Sequence, residues 1–250
     1  MSTALVDFHC HLDLYPDHTA EVARCERECV FTLTVTTTPQ AWARNSQIAS
    51  ATKHVRVALG IHPQLVAERA SELSLWESLL PQARYVGEVG LDAGPRYYKS
   101  LDSQKAVFEQ ILRHCARAGR KILSIHSVRA ATSVLDMLEQ HLLPDKGLAV
   151  LHWFTGTAAE ARRAVDLGCY FSINEQMLAN EKRKAVISAL PLNRLLTETD
   201  GPFTSVEGRP ARPGDVYAAV AGLAQALQIP ATQMQQVITQ NLRIVTCFEN

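Results

Sequence analysis

Eight short apolar runs, each followed by a stretch long enough for a helix, recur along the 250 residues and leave few architectures open. The runs cover residues 4–8, 29–35, 55–60, 84–88, 121–126, 148–152, 169–173 and 194–199. Most are continuously apolar rather than alternating, which is how strands read when helices cover both faces of a parallel sheet. Between them, residues 102–118 place Val107, Phe108, Ile111, Leu112 and Cys115 on one face of a 3.6-residue period, and Gly119 supplies a helix end. Eight such units in this length predict a single (β/α)8 TIM barrel spanning residues 1–250, with an extra amphipathic C-terminal helix over 232–248 packed on its outside. An open doubly wound sheet is the alternative.

Twenty-five basic residues balance twenty-five acidic ones, so the molecule carries no long-range field to attract a polyanion. A nucleic-acid ligand would have to be held by local charge or by metal. The six cysteines are scattered without a C-x-x-C pair, as expected of reduced core residues in a cytoplasmic protein. No apolar run approaches the ~18 residues of a membrane span, and the start reads as a strand, not as a secretory leader.

The chemistry gathers at the ends of the runs. His9 and His11, two apart near the end of an extended segment, point the same way and can share one ion. Glu88, His126, His152 and Asp200 close later runs, and in a barrel all strand carboxyl ends open on the face that carries the active site. Four imidazoles and two carboxylates suit zinc, manganese or nickel, and magnesium with added water. Six donors exceed what one catalytic ion takes, so two divalent ions about 3.5–4 Å apart are expected, bridged by a carboxylate.

Other polar residues are placed around that centre. His62 faces the same mouth and suits a substrate phosphate, whereas Asp92 and Glu198 are spaced to orient ligand histidines. His18, His54, His114 and His141 fall away from the mouth, and Cys10 alternates into the barrel wall. Arg96, Lys99, Arg129, Arg209 and Arg212 lie in loops on the active face with Tyr97, Tyr98, Trp153 and Phe203, a mixture that binds single strands or strand ends. A solvated rim would look the same. The triplet Lys182-Arg183-Lys184 reads as a solvated helix face.

His9-Cys10-His11, Gly60-Ile61-His62-Pro63, Gly87-Glu88-Val89-Gly90-Leu91-Asp92, Ile125-His126, His152-Trp153-Phe154-Thr155-Gly156 and Glu198-Thr199-Asp200-Gly201-Pro202 resemble, in order, the motifs of the TatD family of metal-dependent deoxyribonucleases. The resemblance runs from His9 to Asn241-Leu242. It implies that His9 and His11 hold one metal with Asp200, that His126 and His152 hold the second, and that Glu88 bridges the pair. It also implies hydrolysis of DNA by metal-activated water, 3′-exonucleolytic on single strands or ends, with Glu88 and Asp200 catalytic and Asp200 accepting the water's proton. His62, Arg129, Trp153 and Arg212 are the expected substrate contacts. Taken whole, the chain resembles the TatD-like nucleases of Qat anti-phage defence systems, which implies defence-system protein partners.

Departures from the family pattern fall around the substrate. Gln64 stands where histidine is common, the arginine usually two residues after the fifth-strand histidine is displaced to Arg129, Gly201 replaces a common serine, and Ala93-Gly94-Pro95 are extra. Barrel and metals alone fit an amidohydrolase or esterase acting on a small molecule equally well.

Overall fold

Each predicted run forms a strand in the computed structural model, which describes residues 4–248. The strands are β1 (Val6–Cys10), β2 (Phe31–Val35), β3 (Val55–Leu59), β4 (Tyr85–Gly90), β5 (Lys121–His126), β6 (Gly147–His152), β7 (Tyr170–Ile173) and β8 (Leu195–Thr197). Every ladder joining them is parallel, and spatial order follows chain order from β1 to β8. The helices are α1 (His18–Glu28), α2 (Pro39–Ala49), α3 (Val66–Arg69), α4 (Leu73–Leu79), α5 (Leu101–Ala118), α6 (Ala131–His141), α7 (Ala158–Asp166), α8 (Glu175–Leu178), α9 (Glu181–Ser188), α10 (Val216–Leu227) and α11 (Ala231–Thr246). This is a nearly closed (β/α)8 barrel, not an open sheet.

The last strand meets the first through loop backbone and side chains instead of a regular ladder. Asp200 N–H donates to His9 O at 2.9 Å and His11 N–H to Gly201 O at 2.8 Å. Below them the fully buried Asp7 carboxylate accepts the Thr199 amide at 3.0 Å and its hydroxyl at 2.5 Å. Two metal-ligand candidates, His11 and Asp200, are thus fixed by the closure of the barrel itself.

Helix burial follows the sequence pattern. α5 buries Val107, Phe108, Ile111, Leu112 and Cys115 against the strands, as its period requires, and Gly119 ends it at φ 65°. α11 buries Met234, Ile238, Leu242 and Val245, while Asn241 Nδ2 donates to the carbonyls of Leu192 and Leu195, both at 2.8 Å, tying the helix to the entrance of β8. All six cysteines are free, with Cys10, Cys25, Cys115 and Cys169 buried. Among the described residues no helix is long and apolar enough to cross a membrane.

Two strands run further than their apolar letters. β1 continues through His9, and β4 continues two residues past Glu88. Inward-facing polar residues interrupt hydrophobicity without interrupting the strand. Parallel register is irregular between Asp7 and Cys10 of β1 and between Val86 and Val89 of β4, so a break in pairing falls at each of these two site residues. Such irregularities re-aim side chains at functional sites.

Candidate metal centre

Glu88, 2 % exposed, lies at the middle of the barrel mouth, and its two oxygens face different partners. Oε2 is 3.4 Å from His9 Nε2 and 3.3 Å from His11 Nε2, each of which is 3.6 Å from Asp200 Oδ1. Oε1 is 2.6 Å from His126 Nδ1, 3.1 Å from His62 Nε2 and 3.9 Å from His152 Nε2. Four of the other five predicted ligands therefore face the Glu88 carboxylate, and the fifth, Asp200, joins them through His9 and His11.

The two sides differ in kind. Around Oε2 the separations exceed ordinary hydrogen-bond lengths and match the edge between two ligands that each lie about 2.0–2.2 Å from one tetrahedral ion. His9 Nε2 is buried with no hydrogen-bond partner, which a cation shared with the two carboxylates would supply. Around Oε1 the His126 and His62 contacts have hydrogen-bond spacing. His9, His11 and Glu88 form one set of convergent metal-donor atoms, and His62, Glu88 and His126 another.

Three of the four candidate ligand imidazoles are anchored through the ring nitrogen that does not face Glu88, while His11 Nδ1 is buried with no hydrogen-bond partner. His9 Nδ1 pairs with Ser124 Oγ at 2.7 Å, His126 Nε2 with Asp92 Oδ2 at 3.0 Å, and His152 Nδ1 with Glu198 Oε2 at 2.8 Å. At His9 and His152, donating N–H to these partners fixes the tautomer and leaves the inner nitrogen a lone pair for metal, whereas both nitrogens of His126 face carboxylate oxygens at hydrogen-bond distance, so its Nδ1 would ligate only on losing its proton. His62 is the opposite case: its Nδ1 accepts the Gln64 amide at 3.1 Å, so the proton sits on Nε2, which donates to Glu88. A neutral His62 wired this way is a donor, not a ligand.

Charge is arranged accordingly. Burial alone would lower His11 and His126, but Asp200 and Glu88 outweigh it at His11, pushed up to about 10, and Asp92 and Glu88 at His126, pushed up to about 9. Burial lowers His9 and His62. The surrounding imidazoles hold Glu88 well below the usual carboxylate range and Asp200 below it, each against the effect of burial. The carboxylates stay ionised in a dry site, which is the state that binds metal.

The family described as TatD related DNase matches residues 6–246. The chain belongs to that family. A TatD-family relative, the metal-dependent hydrolase YjjV of Escherichia coli K12, is 29% identical over 96% of this chain and 97% of its own. Its crystal structure superposes with a TM-score of 0.86 at 27% identity, covering 98% of each chain. Deoxyribonuclease Tat-D of Schizosaccharomyces pombe is 38% identical over 52% of this chain and 41% of its own. The chain is thus a metal-dependent hydrolase of the TatD family.

Placed in the TatD barrel, the predicted substrate contacts separate. A cleft of about 450 Å³ above Glu88 is lined by His62, Arg129 and Trp153, with Phe203 edge-on to His11 at 5.1 Å. Arg212 does not line it; its Nε lies 3.2 Å from Glu21 Oε1, which turns the guanidinium toward α1. Gln64, a departure from the family pattern, lines the cleft too and donates to Asp92 at 2.7 Å, joining the support of His126. Gly201 also has a local reason. A Cβ there would collide with the Tyr15 hydroxyl and the Ala211 carbonyl, which hydrogen-bond to each other beside it.

Four contributors escaped the sequence reading. Ser124, inside β5 two residues before His126, carries no motif, and only its distance from His9 assigns it a role. Ser172 and Asn174 clamp Glu198, with Asn174 Nδ2 donating to Oε1 at 3.0 Å. Arg183 lines the cleft instead of facing solvent with its neighbours. Because Glu198 orients His152, Glu198→Ala is expected to weaken Mn²⁺ affinity about 10–100-fold, read by calorimetric titration. Affinity within twofold of wild type would detach Glu198 from the metal site.

Proposed function

We propose that the protein hydrolyses DNA phosphodiester bonds with two divalent ions, one held by His9, His11 and Asp200, the other by His126 and His152, with Glu88 between them. The observation that carries this reading is the division of Glu88: one oxygen faces His9 and His11, the other His126 and His152. Divalent ions bound there would lower the pKa of water to about 7 and offset charge on the phosphoryl oxygens. Asp200 keeps Oδ1 toward the two histidines, leaving its other oxygen to take the water's proton. His62 lines the cleft and would meet the substrate by exchanging its Nε2–H bond to Glu88 for one to a substrate oxygen. Arg129 would hold a phosphate and Trp153 an unpaired base.

Action at single strands or 3′ ends is supported by the cleft lining, where Trp153 and Phe203 offer rings for unpaired bases beside Arg129. The resemblance to Qat nucleases supports a cytoplasmic role in anti-phage defence beside protein partners. A cleft of this size also suits a small ester or amide, which is the second reading. End-labelled single-stranded DNA incubated with pure protein and Mn²⁺ or Mg²⁺ is expected to shorten from its 3′ end, and EDTA to stop it. Intact DNA alongside turnover of a small ester would replace the first reading by the second.

A further inference from the structure

The segments after β5, β6, β7 and β8 bring Arg129, Trp153, Arg183 and Phe203, in that order, to the cleft wall, beside the smaller Ser127, Val128 and Thr155. Cation and aromatic alternate along that wall. The two arginines are also set apart from others near the mouth: Arg209 is bound to both oxygens of Asp215 at 2.7 and 2.8 Å, and Arg212 lies against Glu21. Among the described residues, the guanidiniums of Arg129 and Arg183 have no ion-pair or hydrogen-bond partner. Arg183 does not reach the cleft on a loose tether. Its backbone N–H is taken at 3.1 Å by Asn180, which caps α9 and fixes the first turn of that helix over the mouth.

We propose that this wall is a track for a short single strand, in which Arg129 and Arg183 take successive phosphates, the base between them stacks on Trp153, and Phe203 ends the track beside His11. The proposal rests on the phosphodiester reading above and adds a direction, from the β5 loop to the β8 loop. It also adds Arg183 as a residue selecting oligonucleotides over small phosphodiesters. A guanidinium fork matches a phosphate, and a ring accepts any base, so the track reads strand and not sequence.

The test compares a tetranucleotide with bis(4-nitrophenyl) phosphate, which has the reacting group but no flanking phosphate, both with Mn²⁺. For Arg183→Ala, kcat/KM on the tetranucleotide is expected to fall about tenfold more than on the small diester, chiefly through KM, as for a lost charge-assisted hydrogen bond. Oligonucleotide binding should also lose about 0.7 of its logarithmic salt slope. Lys182→Ala, an exposed neighbour outside the cleft, serves as the control and should change neither substrate. Equal losses on both substrates, or an unchanged salt slope, would overturn the track. Failure of the wild type to hydrolyse either one would instead overturn the reading on which the track rests.

Discussion

Glu88→Gln is expected to lower kcat for phosphodiester hydrolysis by at least about a thousandfold while the barrel stays folded. The substitution keeps the size of a side chain that is 2 % exposed, so the strands have little reason to move. What it removes is the negative charge that His9 and His11 face from one side and His126 from the other. A neutral amide can bridge ions poorly, and its NH2 end would donate to the lone pair of one imidazole and withhold it from a metal. Circular dichroism matching wild type together with lost turnover is the expected pair of results. Turnover within a fewfold of wild type would remove Glu88 from the mechanism.

Asp200→Asn is expected to cost about 10²–10⁴ in kcat, the usual range for a proton-transfer group, with a smaller effect on KM. Its backbone is left-handed at φ 55°, a conformation asparagine tolerates as well as aspartate, so strain should not confuse the result. The amide keeps the backbone bond to His9 that closes the barrel and loses only the charge and the proton acceptor. A loss confined to KM would make Asp200 a binding group and leave the proton without an acceptor.

The fold, and the gathering of the six candidate ligands at one end of it, were largely legible in the sequence because both are written in strand ends. His9, His11, Glu88, His126, His152 and Asp200 each end or nearly end an apolar run, and parallel closure turns six separated positions into neighbours. What the sequence hid depends on distances between strands. Ser124 is a plain serine in an apolar run until β5 passes His9, and no period or motif announces that meeting. Arg183 was masked differently: between two lysines it reads as a wet helix face, but the cap at Asn180 sets the helix so that one of the three turns inward. Arg212 is the reverse, a rim cation whose charge is taken up by Glu21 from α1, a pairing across some 190 residues of chain. Sequence position placed the loop at the mouth; packing decided which of its side chains enters.

The central claim is that Glu88 stands between two divalent ions, and anomalous diffraction from crystals soaked in Mn²⁺ tests it most directly. The expected map has two peaks at the barrel mouth, one against His9, His11 and Asp200 and the other against His126 and His152, each within bonding distance of a different Glu88 oxygen. A single peak, or none at millimolar Mn²⁺, would contradict it.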